Sequence, residues 1–139
     1  MNYKIVADSS ANIYEFSGID FESVPLKIIT AKAEYVDDFS LDVEKMVTEV
    51  KETKGKSGTS CPNIGDWLSA FEGSDIVFAI TITSKLSGSF STAEEAAKIY
   101  MEANSDAKVF VVDSLSTGPE MKLLVEHISG LMQHEKSFE

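Results

Sequence analysis

The chain contains no arginine; all twelve of its basic residues are lysine. Without a guanidinium there is no bidentate clamp for a carboxylate or phosphate. Those twelve cations stand against 23 acidic residues, a formal net charge of −11. Such a surface repels phosphate backbones and has no basic stripe, which excludes a general nucleic-acid binder. A local anion site survives this argument, because a helix N-terminus acts over one turn only. One cysteine, Cys61, forms no internal disulfide and fits a reducing compartment. Long apolar runs are missing too. The strand-like stretch Ile76-Val77-Phe78-Ala79-Ile80 is far below the about 20 residues needed to span a bilayer. The start, Met1 to Asp8, has no apolar leader core. The expectation is a soluble cytoplasmic protein with no stable membrane insertion.

What is present suits one folded domain. The chain has 139 residues, 43% of them hydrophobic. Tyr3 to Ala7 predicts a buried strand ending at Asp8-Ser9-Ser10. Residues 23–29 predict a second strand, with Pro25 at an edge or start. Residues 33–36 predict a short hairpin arm. Ser40 is the expected cap of a helix over about 42–53, with Val43, Met46, Val47 and Val50 on one apolar face. A polar loop is expected over 54–58. Ile64, Trp67, Leu68 and Phe71 predict a second helix over 63–71, with Pro62 near its first turn. Residues 75–83 give the strongest strand signal, as for a central parallel strand covered on both faces. A third helix is expected from Ser87 or Gly88 to Ala103, burying Phe90, Ala93, Ala97, Tyr100 and Met101. A strand over 107–112 follows, ending at Asp113-Ser114. The last helix is expected over 119–133, with Met121, Leu124, Val125, Ile128 and Leu131 inward. This alternation predicts an α/β domain with a mostly parallel sheet flanked by helices. Ligands of such sheets bind beyond the carboxyl ends of the strands.

Two hydroxyl-bearing loops carry the chemistry: Thr59-Ser60-Cys61-Pro62, and Ser84-Lys85-Leu86-Ser87-Gly88-Ser89-Phe90. Each precedes a helix, placing hydroxyls and free backbone amides where a small anion can sit. The plainer alternative is that Ser87 and Thr59 are ordinary caps or turn residues. Asp8 and Asp113 at strand ends are expected to cap loops rather than bind metal, since the spacing matches no metal motif. His127 and His134 on the last helix are expected to be solvated. Cys61 is read as a small inert residue, with reactivity left open by its place near a helix start. Trp67 is read as core. Two rival functions remain: a serine-dependent hydrolase using Ser87, and a phosphate- or nucleotide-binding module. Neither a Gly-x-Ser-x-Gly elbow nor a P-loop is present.

Taken in order, five elements resemble the DegV family. They are Asp8-Ser9-Ser10; Val24-Pro25-Leu26 with Tyr35-Val36-Asp37-Asp38; Thr59-Ser60-Cys61-Pro62-Asn63, similar to Thr-Ser-Gln-Pro-Ser; Ser84 to Ala93, similar to Ser-x-Leu-Ser-Gly-Thr-Tyr-x-Ser-Ala; and Val111-Val112-Asp113-Ser114. The resemblance implies a bacterial fatty-acid-binding protein, not an enzyme. It would hold a long-chain fatty acid and no cofactor, and present the carboxyl group to a partner fatty acid kinase that makes the acyl phosphate. Carried over by motif, Thr59, Ser87 and Gly88 are the expected carboxylate ligands. Ser60, Asp8, Ser9 and Ser114 are expected to support them. The resemblance also implies that residues 1–139 are the N-terminal α/β domain, without the family's lipid-covering second domain. Such a lobe is expected to self-associate through exposed apolar surface.

Overall fold

The computed structural model describes residues 1–134. Its centre is a four-stranded sheet in the order β2-β1-β6-β7, parallel throughout. These strands are β1 (Tyr3–Asp8), β2 (Asp20–Val24), β6 (Ile76–Thr81) and β7 (Lys108–Asp113). Between β2 and β6 the chain builds a smaller antiparallel sheet from β3 (Lys27–Ile29), β4 (Glu34–Val36) and β5 (Gly58–Ser60), in the order β4-β3-β5. Among the described residues four α-helices complete the fold: α1 (Val43–Glu52), α2 (Ile64–Phe71), α3 (Ser89–Ala103) and α4 (Pro119–Gln133).

Side chains alternate across the main sheet and so feed two cores. Val6, Val77, Ala79 and Val109 point towards α2 and α3, where Trp67, Phe71, Ala93, Ala97 and Tyr100 meet them. Ile5, Ala7 and Ile80 point the other way, towards Met121 and Val125 of α4. Both Trp67 and Phe71 have no exposed surface. Burial of a side chain of that size contributes roughly 1.5–3 kcal/mol. Phe71 meets Tyr100 edge-on, with ring centroids 5.8 Å apart, and the Tyr100 hydroxyl donates to the Ser74 carbonyl at 3.0 Å. The expected α/β class and its helix-covered parallel sheet are therefore observed.

Several local expectations are corrected. The strand expected over 23–29 is two strands in two different sheets. Pro25 and Leu26 form the break, and proline's missing amide suits it to a strand end. Gly58, expected in a loop, opens β5, whose Thr59 pairs with Ile28. Asp42, not Ser40, caps α1: its side chain accepts from the Lys45 amide at 3.0 Å. Ser40 instead donates its hydroxyl to Asp38 at 2.6 Å. No α1 residue is buried, and Val43 is 56% exposed, so the apolar face read from the spacing is not a core face here. What fastens α1 is polar: Glu49 accepts hydrogen bonds from the hydroxyls of Thr30 and Tyr35, the latter at 2.5 Å. Leu131 is exposed rather than inward. Among the described residues no helix is long and apolar enough to cross a membrane.

Candidate functional site

Strand order reverses at β1. Its earlier partner β2 lies on one side, and β6 is inserted on the other. The crevice above such a reversal is where open parallel sheets bind ligands. The loops after β1 and β6 meet at this point. Asp8 ends β1 with no exposed surface. Its Oδ2 accepts from the Ile82 amide and from the Ser89 hydroxyl, each at 2.7 Å. Its Oδ1 accepts from the Ser10 amide at 3.2 Å and from the Ser10 hydroxyl. Burial pushes the Asp8 carboxyl above the usual range, while the hydrogen bonds from Ser10, Ser89 and Ile82 pull it back. Ser9 is equally buried, and its Oγ accepts from the Leu26 amide at 3.0 Å, just before β3. Asp8 and Ser9 are thus framework beneath the crevice, out of reach of solvent.

Above them lies the start of α3. Its cap is Gly88, which has no side chain to satisfy the first-turn amides. The Ser87 hydroxyl oxygen accepts from the Ser89 amide at 3.2 Å. A hydroxyl that accepts one bond still has its proton to donate. The Gly88 cap gives the remaining amides of the first turn no side-chain acceptor, and the positive end of the helix dipole lies at them. Ser87 is half-buried and Gly88 exposed.

Two contacts bring the first hydroxyl loop against this helix start. A Cβ built on Gly88 would lie 3.3 Å from the Cys61 Sγ, so Gly88 allows a close approach that a side chain would crowd. Behind that contact, the Thr92 hydroxyl accepts from the Trp67 indole at 3.2 Å and donates to the Pro62 carbonyl at 2.9 Å. From this junction Ser60 and Thr59 run back along β5, Ser60 half-buried and Thr59 exposed. The expectation of free amides at both helix starts is corrected for α2. Asn63 accepts from the Asp66 amide at 3.0 Å, and Asp66 accepts from the Asn63 amide at 2.8 Å. This reciprocal capping box closes the α2 N-terminus, and the spacing Asn63-x-x-Asp66 was legible in the sequence.

Ser114 stands apart. Its hydroxyl donates to the Ser116 carbonyl at 3.0 Å and accepts from the Ser116 amide at 3.1 Å, so its own loop engages it. Its neighbour Asp113 accepts from the amides of Ser84 and Leu115, both at 3.1 Å. Hydrogen bonds from Ser84 and Leu115 hold the Asp113 carboxyl below the usual range, with Lys85 adding to them. Leu115 sits at φ 53°, an uncommon conformation for leucine that this carboxylate secures. His127 and His134 are exposed on or beside α4, on the sheet face opposite α3. Cys61 is a half-buried free thiol. Among the described residues no group of three or more His, Cys, Asp or Glu is placed to hold a metal ion. Thr92 was not singled out in the sequence, and Ser89 appeared only as a member of its loop, because their hydroxyls act through partners distant in the chain.

Known proteins share this fold. A family model described as an uncharacterised protein of the DegV family matches residues 2–139. A DegV domain-containing protein of Streptococcus pneumoniae (strain ATCC BAA-255 / R6) is 42% identical over 143 residues, which is all of this chain and 51% of that relative. The chain spans about half the length of the curated relatives it matches. The Fatty Acid Kinase (Fak) B3 protein of Streptococcus pneumoniae, solved loaded with linoleic acid, superposes with TM-score 0.96 at 42% identity, covering 99% of this chain and 50% of its own. A DegV family protein from Eubacterium eligens, loaded with heptadecanoic acid, gives TM-score 0.95 at 40% identity, covering 98% and 49%.

Proposed function

Because the chain belongs to the DegV family, we propose that it forms the head-group lobe of a long-chain fatty acid carrier. The carrier presents the acyl carboxylate to a fatty acid kinase and performs no chemistry itself. Cytoplasmic location follows from that role. The observation that carries this reading is the start of α3 at the strand-order reversal, where the cap is Gly88 with no side chain of its own and lies against Cys61 of the loop that bears Thr59.

The physical chemistry favours this division of labour. Burying each methylene of a tail contributes about 0.8 kcal/mol, so the tail drives affinity. The carboxylate must then be hydrogen-bonded, because an unpaired buried charge costs far more than one methylene supplies. Hydroxyls from Thr59 and Ser87, with the first-turn amides of α3, satisfy its oxygens without a full counter-charge. Lys85, the cation of this loop, is placed beside Asp113. The carboxylate so held stays polarised and accessible to a phosphoryl donor. Leu86, 73% exposed in the same loop, offers apolar surface to the first methylenes.

Native mass spectrometry of the purified chain incubated with oleate tests the reading. Retained oleate that falls at least about tenfold in the Thr59→Ala, Ser87→Ala double variant supports it, since each lost bond to a charged group is worth about 1.5–3 kcal/mol. Unchanged retention in the double variant overturns the assignment of those residues. Protection from unfolding by inorganic phosphate alone would favour the phosphate-binding rival.

A further inference from the structure

The fully buried Asp8 is not explained by packing, since apolar residues surround it on β1. Four donors converge on its two oxygens: the Ser10 amide and hydroxyl on one, the Ile82 amide and Ser89 hydroxyl on the other. Only a group that accepts at every position can satisfy all four, and an ionised carboxylate is such a group. Two of those donors bracket the loop from Ile82 to Ser89. One end leaves β6, and the other is the first residue of α3. The loop between them carries Ser87 and Gly88. Within it the Thr83 carbonyl accepts from the Leu86 amide at 3.0 Å, and the Thr83 amide donates to the Ser116 carbonyl at 2.9 Å.

We infer that Asp8 is the positioning residue of the head-group site: its carboxylate pins both ends of the Ile82–Ser89 loop to β1 and so fixes where Ser87, Gly88 and the first amides of α3 stand. This rests on the fatty acid reading above. Asp8 itself touches no ligand. An asparagine of the same shape cannot replace it. Whichever way its amide turns, its NH2 faces one backbone amide, Ser10 or Ile82, donor against donor. With the NH2 towards Ile82 the loop loses its anchor at the end of β6, and with the NH2 towards Ser10 the loop keeps both anchors, so Ser89→Ala carries the deciding test. Ser89→Ala removes the α3 anchor alone, leaves Asp8 three of its donors, and covers the case in which Asp8→Asn fails to fold.

The test uses the whole chain, isotopically labelled, with [1-13C]oleate as the probe, and two readouts by NMR. The first is the backbone amide signals of Ser87, Gly88 and Ser89, which need no ligand. In Ser89→Ala, and in Asp8→Asn with its NH2 towards Ile82, these are expected to shift and to exchange faster, while the amides of α4 and the Trp67 indole stay in place. The second is the carboxyl resonance of bound oleate. It is expected to move back towards that of free oleate, with binding about tenfold weaker. A purely stabilising residue would lower the unfolding temperature without moving either signal in the folded protein. Unmoved Ser87 and Gly88 amides in Ser89→Ala overturn the inference. A wild-type chain that leaves the oleate carboxyl signal unperturbed overturns the fatty acid reading instead, and the amide signals still decide the role of Asp8.

Discussion

Replacing Thr92 by valine isolates the link between the two hydroxyl loops. The change keeps the shape of the side chain and its β-branching, and threonine and valine differ little in helix propensity. What it removes is one oxygen. The Trp67 indole loses its acceptor at 3.2 Å, and the Pro62 carbonyl loses its donor at 2.9 Å. Trp67 has no exposed surface, so water cannot take the indole bond without a local opening. A buried group left unpaired costs about 1–3 kcal/mol. For a domain of this size about 2 kcal/mol corresponds to a fall in Tm of roughly 5–8 °C. Trp67 is the sole tryptophan, so its emission reports unfolding from the altered site itself. Thr92→Ser keeps the hydroxyl and should fall by less than half as much. A double-mutant cycle with Trp67→Phe, followed by circular dichroism, should show coupling between the two positions. Equal losses in Thr92→Ser and Thr92→Val, or additive effects in the cycle, would refute the bridging role of this hydroxyl.

The remaining predictions concern α1 and the open surface. Hydrogen bonds from Thr30 and then Tyr35 hold the Glu49 carboxyl below its ordinary range. Its folded value is depressed, so it contributes stability above the unfolded carboxylate value and loses it as pH falls through the folded one. Glu49→Gln should therefore flatten the acid limb of the Tm–pH profile, and an unchanged limb would remove Glu49 from the account. Phe39, Leu86 and Leu115, at 86%, 73% and 68% exposure, leave apolar surface open to solvent. We expect sedimentation to become concentration-dependent; a strictly monomeric profile at high concentration would contradict this.

Much of the main sheet could be read from local pattern. β1, β6 and β7 are short apolar runs with polar ends, and α4 falls where its spacing places it. Residues 23–29 could not be read this way, because a β-prone stretch broken by Pro25 does not say which sheet each half joins. α1 misled for a related reason. Its spacing reports an apolar face but not whether anything in the described chain covers it. The candidate loops were legible as hydroxyl-rich segments ahead of helices. Their framework was not, because Asp8 acts on Ile82 and Ser89, which lie 74 and 81 positions away. The closed α2 start is different in kind: Asn63 and Asp66 are three apart, and the capping pattern was present to be read.

The polar fastening of α1 has a consequence for how the molecule breathes. The four-stranded sheet is sandwiched by helices that bury tryptophan, phenylalanine and methionine side chains, and separating those layers exposes them all at once. The small sheet with α1 has no comparable stake. α1 buries no residue, and it is held by hydroxyl contacts to a single carboxylate. Lifting it away exposes little new apolar surface, so the opening is local and low in free energy beside global unfolding. The strand that carries Thr59 belongs to this softer unit, whereas Ser87 and Gly88 are bolted to the stiff one. One half of the proposed site is thus tied to the stiff sheet, and the other half to the unit that α1 covers with little buried apolar surface.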